Sequence, residues 1–147
     1  MRVRIKRLPA ARDLPLPSRA SPGSAGFDLR AAIDGEVVLR PGERLLVSTG
    51  LVLEIPSGWE GQIRPRSGLA LRHGVGVVNA PGTIDSDYRG EVAVILINLG
   101  EAPFSLRRGD RVAQLVISRV ETVEWEEAET LAESGRGDGG FGSTGVE

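Results

Sequence analysis

Apolar and polar residues alternate in short runs along most of this chain. Val3-Arg4-Ile5-Lys6-Arg7-Leu8 alternates as a half-buried strand does, and Phe27 to Ala31 does so again. Glu36 to Leu39 and Arg44 to Val47 flank the turn Arg40-Pro41-Gly42-Glu43. Leu51 to Ile55 is stopped by Pro56-Ser57-Gly58, and Trp59 to Arg64 follows, with Trp59 and Ile63 as anchors. Val75 to Val78, Val92 to Ile97 and Arg111 to Val120 complete the series. Short strands at nearly regular spacing, punctuated by Pro and 20 glycines, predict an all-β jelly-roll-like sandwich. Arg12 to Gly23, rich in Pro and Ser, reads as an extended crossing loop. Two stretches break the pattern. Ser67 to Gly74 has a serine start and a glycine stop, which predicts one short helix. Glu121 to Glu133 is acidic, and its apolar positions Val123, Trp125, Ala128 and Leu131 are too loosely spaced for a helix, so a connecting arm is expected. The tail after it is too glycine-rich to fold by itself. The expected division is a β domain over 1–120 and a C-terminal arm over 121–147.

Composition narrows the chemistry. A chain of 147 residues is one domain with room for a sizeable core. A net charge of −2 gives no general attraction for nucleic acid or anionic membrane. The absence of cysteine excludes disulfides, zinc-thiolate sites and thiol nucleophiles. His73 is the only histidine, so a carboxylate is the base to expect near neutral pH. The basic N-terminus lacks the apolar stretch of a signal peptide, and no apolar run reaches membrane-spanning length. A soluble, cytoplasmic protein with no nucleic-acid or membrane partner is expected.

The densest chemistry lies in Asn79 to Glu91, NAPGTIDSDYRGE. It reads as a hairpin whose tip carries Asp85, Asp87 and the only tyrosine, Tyr88, although a plain solvated turn has much the same composition. Asp28 sits between apolar neighbours, where it needs an arginine partner or a cation. Pro65-Arg66-Ser67-Gly68 stands where a strand gives way to the helix: an anion site, or simply a serine cap beside a surface arginine. His73 ends that helix and reads as a capping or interface residue. Gln114, flanked by apolar residues, either faces solvent or is held inside by a polar partner. Arg108-Gly109-Asp110 is explained by a strand-entry turn, and the triplet recurs as Arg136-Gly137-Asp138. The latter opens a segment of glycines with Phe141, Ser143 and Thr144, which reads either as a disordered tail or as a lid able to close on an anion and a flat ring.

In order, AGFDLRA, PRSGLA, GTIDSDYRG, RGDRVAQL and RGDGGFGSTG resemble the five motifs of the trimeric dUTPases (dUTP diphosphatases), over nearly the whole chain. The resemblance implies a β jelly roll that assembles as a homotrimer with active sites at subunit boundaries. It implies magnesium-dependent hydrolysis of dUTP to dUMP and pyrophosphate, which keeps uracil out of DNA and supplies dUMP for dTMP synthesis. It implies Asp85 as the base that activates water, Asp28 as the water-mediated Mg²⁺ ligand, and Ser67 and Gln114 beside the reacting phosphate. Arg66, Ser67 and Gly68 would bind phosphates. Asn79 with the backbone of Gly82, Thr83 and Ile84 would hold uracil, and Tyr88 would lie under the deoxyribose. Arg136, Phe141, Gly142, Ser143 and Thr144 would arrive from a neighbouring subunit. Two other readings stand beside it: a dCTP deaminase of the same fold, and a non-catalytic nucleotide-binding jelly-roll module.

Overall fold

The computed structural model describes residues 1–140. The alternating runs become strands β1 (Arg4–Arg7), β2 (Phe27–Arg30), β3 (Glu36–Leu39), β4 (Arg44–Glu54) and β5 (Trp59–Arg64). Helix α1 (Ser67–His73) follows, then β6 (Val75–Val77), β7 (Gly82–Ile84), β8 (Glu91–Asn98), β9 (Phe104–Arg107) and β10 (Arg111–Arg119). One four-stranded sheet has the order β1-β4-β8-β6 and a second the order β2-β10-β5-β7, while β3 and β9 form a ribbon. The inward positions of both sheets, among them Leu29, Val47, Ile63, Val94, Leu96 and Leu115, share one apolar core. This is the jelly-roll-like sandwich that the alternation predicts.

Three elements depart from the expectation. Leu51 to Ile55 is not a separate strand, because β4 runs unbroken from Arg44 to Glu54 through a bulge between Ser48 and Leu51. The bulge satisfies its own polar groups, which is why the strand need not end there. Buried Thr49 donates its hydroxyl to the Val92 carbonyl, and the Glu91 carboxylate accepts from the Gly50 amide (2.7 Å) and the Ser48 hydroxyl. Gly50 takes a positive φ of 65°, and a side chain there would run into Ala11 in the 3₁₀ turn Pro9–Ala11. Second, Asn79 to Glu91 is not a hairpin: β6 lies in the first sheet, β7 in the second, and β8 returns to the first. Third, β9 was not evident from alternation; the ribbon is pinned by an Arg107–Glu36 ion pair of 3.2 Å across registered positions. The segment 121–133 forms neither helix nor strand and leaves Trp125 exposed.

Asn98 fastens the ribbon to the core. Fully buried, it donates Nδ2 to the carbonyls of Leu39 (2.9 Å) and Ala102 (2.8 Å) and accepts from the Gly100 amide (2.9 Å). Arg108 does the same for the crossing loop, reaching the Asp13 carboxylate and the carbonyls of Ala10 (2.6 Å) and Ile33 (3.3 Å). Its hydrogen bond holds the Asp13 carboxyl below the ordinary 3.8, and Ser105, then Arg107, hold Glu36 below the ordinary 4.5. Both carboxyls bind protons more weakly folded than unfolded. Their contribution is therefore present above those ordinary values and lost as pH falls through the lowered ones.

Asn98→Ala removes the donor to the buried Leu39 carbonyl and should cost about 1–3 kcal/mol, read as a lower urea midpoint at unchanged slope. Arg108→Ala should be less stable than the parent at neutral pH, and the gap should narrow below about pH 3.8, as urea midpoints across that range would report.

Candidate active site

Strands β2, β10 and β5 lie side by side, and their register sets Asp28 opposite Gln114 and Gln114 opposite Arg64. The Asp28 carboxylate carries two arginines: Oδ1 accepts from Arg66 Nε at 3.1 Å and Oδ2 from an Arg111 terminal nitrogen at 3.0 Å. Arg66 also donates to the Arg111 carbonyl at 3.1 Å. The Asp28 side chain keeps only 17% of its surface exposed, so two charge-assisted bonds compensate its burial. Of the partners expected for Asp28, the arginine is thus present, and doubly so. Gln114 is held by a polar partner rather than facing solvent: its Nε2 donates to the Pro65 carbonyl at 3.0 Å. Its amide lies against Gly26, where a methyl group would overlap it.

Pro65 leads directly into α1. The residue that caps the helix is Arg66, in extended conformation, and no side chain caps it. Ser67 is therefore not the cap; it is the first helical residue, and its exposed hydroxyl makes no hydrogen bond among the described residues. Gly68 lies under the Arg72 guanidinium. His73 closes the helix with its ring tilted against Phe104, centroids 5.1 Å apart, and Gly74 caps it in the left-handed conformation.

The second cluster forms around β7, which pairs with β5 so that Ile84 faces Gly61 and Gly82 faces Ile63. Asp85 follows at once, exposed, on an open cleft of about 580 Å³ shared with Trp59, Glu60, Thr83 and Asp87. The Asn79 amide lies over Gly82. β7 is the last strand of its sheet, so one edge of its backbone is unpaired by any strand among the described residues. Tyr88 is fixed at both ends: its hydroxyl donates to the Glu91 carbonyl at 3.0 Å, and its ring covers Gly90, where a methyl group would collide with it. Arg89 closes the loop by donating to the carbonyls of Ser86 (2.7 Å) and Tyr88 (2.9 Å).

One protomer does not bring the two clusters together. Asp85 stands beside the start of β5, whereas Asp28 and Gln114 align with its end at Arg64. At about 3.3 Å per residue and 4.8 Å per strand, Asp85 and Asp28 are roughly 20 Å apart. Arg136 bonds within its own exposed turn, Nε to the Gly139 carbonyl at 2.7 Å, with Gly137 at a φ of 53°. Phe141, Gly142, Ser143 and Thr144 lie outside the described residues. Among the described residues no group of three or more His, Asp or Glu is placed to hold a metal, so Asp28 is a lone carboxylate. That donor set suits an ion carried in on a triphosphate, which supplies most of its own oxygens, better than a resident ion.

Arg111 is a member of the first cluster that the sequence reading missed. The signal was available: Val112 and Ala113 are both buried, a break in the alternation of β10, and the register shifts between Arg111 and Ala113. The bulge turns Arg111 toward Asp28, as bulges beside sites commonly re-aim a side chain.

Residues 12–145 match the family model described as dUTPase. A deoxyuridine 5'-triphosphate nucleotidohydrolase of Anaplasma marginale (strain St. Maries) is 57% identical over 146 residues, 99% of each chain. One from Anaeromyxobacter sp. (strain Fw109-5) is 66% identical over 132 residues, 90% of this chain and 88% of its own. Among solved structures, the Staphylococcus bacteriophage 80alpha dUTPase with dUpNHpp is similar at a TM-score of 0.85 and 28% identity, with 99% of both chains covered. A mutant of that phage enzyme, also with dUpNHpp, reaches a TM-score of 0.88 at 26% identity.

Proposed function

The chain belongs to the dUTPase family and hydrolyses dUTP to dUMP and pyrophosphate; from that premise we propose that Asp85 is its general base and that each active site is built from more than one protomer. The observation that carries the base assignment is the position of Asp85, exposed on an open cleft at the end of β7. The only histidine, His73, lies at the far end of α1 with its ring tilted against Phe104. Asp85 takes a proton from a water in line with the bond between the α-phosphorus and the departing pyrophosphate, a role worth about 10²–10⁴-fold. The free hydroxyl of Ser67 and the guanidinium of Arg66 face the charge that develops on the phosphate oxygens. Gln114 acts by fixing Pro65, and with it the entry to that phosphate segment, as well as by its own amide. When bound, Mg²⁺ on the triphosphate neutralises phosphate charge, with Asp28 as the carboxylate that holds its water shell.

Base and sugar are read by the second cluster. The open edge of β7 offers alternating main-chain donors and acceptors, and with Asn79 it can pair with one face of uracil while refusing the reversed pattern of cytosine. Tyr88, locked by Glu91 and Gly90, occupies the space a 2′-hydroxyl needs. The arm 121–147 extends from the β domain 1–120, and its Arg136, Phe141, Gly142, Ser143 and Thr144 close over a neighbour's nucleotide. The deaminase and the non-catalytic module are not favoured, since the matching relatives are dUTP nucleotidohydrolases.

Two features support a homotrimer. The clusters are too far apart to serve one nucleotide within a protomer. The outward face of β8 is also apolar, with Ala93, Ile95 and Ile97 next to Leu46 of β4, which is 66% exposed. A contiguous apolar face of this kind calls for a partner. No helix among the described residues is long and apolar enough to cross a membrane. We place the enzyme in the cytoplasm, beside the deoxynucleotide pool.

Asp85→Asn should bind nucleotide normally while turnover falls by at least about a hundredfold; near-normal release of pyrophosphate from dUTP would remove Asp85 from the mechanism. Mixing and reassembling Asp85→Asn with Arg66→Ala, each inactive alone, should restore about a quarter of parental activity if a site takes the two residues from different protomers of a symmetric assembly. No recovery in the mixed assembly would place both in one protomer.

A further inference from the structure

Three consecutive residues of the β4 bulge each donate to the start of β8. The Ser48 hydroxyl and the Gly50 amide (2.7 Å) reach the same oxygen of the Glu91 carboxylate, and the buried Thr49 hydroxyl reaches the Val92 carbonyl. A bulge needs its polar groups satisfied, and any acceptor in reach would do that. Here the acceptor is the side chain of the one residue whose main chain receives the Tyr88 hydroxyl, at 3.0 Å. Glu91 is the first residue of β8, where a strand is most prone to fray. Its carboxylate therefore ties down the carbonyl to which the tyrosine is fastened. The hydroxyl end of the ring lies on Gly90, and 43% of the residue remains exposed. Tyr88 is thus a wall with one packed side, one open side and a tethered edge.

We propose that Glu91 is a positioning residue for sugar selection: by gripping the β4 bulge it fixes where Tyr88 stands, and so sets how firmly a ribonucleotide is refused. This rests on the dUTPase reading above, with Tyr88 under the sugar. A 2′-hydroxyl is a small addition, and a pocket wall that gives way slightly admits it. A ring backed only by a glycine has little bulk behind it, so its resistance comes from its tether. That tether has two links in series. The first is the Tyr88 hydroxyl on the Glu91 carbonyl, and the second is the Glu91 carboxylate on Gly50 and Ser48. Cutting either link leaves the ring in place but free to yield. A deoxyribose does not press on the ring and needs neither link, whereas the refusal of a ribose needs both. Supporting hydrogen bonds of this kind decide how well a site holds its geometry.

Pyrophosphate release from dUTP and from UTP reads this selection as the ratio of the two kcat/KM values. Glu91→Ala should lower the ratio by about fivefold to tenfold, the equivalent of one lost hydrogen bond, through faster turnover of UTP rather than slower turnover of dUTP. Glu91→Gln keeps an oxygen for Gly50 and Ser48 and should recover most of the ratio, whereas Glu91→Asp, one methylene shorter, should not. Tyr88→Phe cuts the first link, so it should lower the ratio by a similar amount, and adding Glu91→Ala to it should lower the ratio no further. Ser48→Ala leaves β8 untouched and serves in place of Glu91→Ala should that variant not fold; its ratio should fall between those of the parent and Tyr88→Phe. An unchanged ratio in the variant used, a fall that comes only from slower dUTP turnover, or effects of Glu91→Ala and Tyr88→Phe that multiply would each overturn the positioning role. An unchanged ratio in Tyr88→Ala would overturn the placing of Tyr88 under the sugar, and a parent that released no pyrophosphate from dUTP would overturn the dUTPase reading itself, both different failures.

Discussion

The pairing of β5 with β10 on one side and β7 on the other decides where every functional residue ends up. Six residues of β5 are enough to separate its neighbours' contributions, because β10 aligns Gln114 and Asp28 with Arg64 while β7 ends beside the opposite terminus. Backbone hydrogen bonding in an antiparallel ladder admits no small adjustment of this register, since a slip of one residue would turn the apolar set of each strand outward. The distance between the clusters is therefore a property of the sheet, not of loops that could fold over. The sheet holds the two clusters apart within the chain.

Electrostatics gives the first cluster its character. Asp28 is too buried to be left without a partner, and its two arginines share it. The three side chains satisfy one another through two charge-assisted bonds to one carboxylate. The second cluster is built on a different principle. There the loop is braced from within: Arg89 closes it from inside, Tyr88 is held at ring and hydroxyl, and Asp85 stands exposed on the cleft beside Glu60 and Asp87. The first cluster is thus held by charge pairing and the second by hydrogen bonds within its own loop.

Much of this was legible in the chain. Alternation located most strands, because a half-buried sheet imposes a period of two on its residues, and Ser67 to Gly74 read as a helix because Gly74 supplies the left-handed stop. The five motif blocks contain Asp28, Arg66, Gln114, Asp85 and Tyr88, which fall into the two clusters, while Arg111 went unnamed. What alternation could not show is where it is interrupted for a reason. The Ser48-Thr49-Gly50 bulge looked like a strand end because its paired polar groups come from residues far along the chain, Glu91 and Val92. The Val112-Ala113 break hid Arg111 in the same way. Nor does local sequence reveal sheet exchange: nothing in Asn79 to Glu91 announces that β7 pairs with β5 rather than with its nearest neighbours in the chain.

Glu91 gives the bulge in β4 a reach beyond its own sheet. Its carboxylate binds the bulge at Gly50 and Ser48, its carbonyl receives the Tyr88 hydroxyl, and Gly50 in turn rests on Ala11. The N-terminal turn, the bulge and the aromatic ring are thus coupled in series through single contacts, with no slack at either glycine. Bulk added at Ala11, a position outside all five motifs, would press on Gly50 and so on the contacts that lead through Glu91 to the Tyr88 ring.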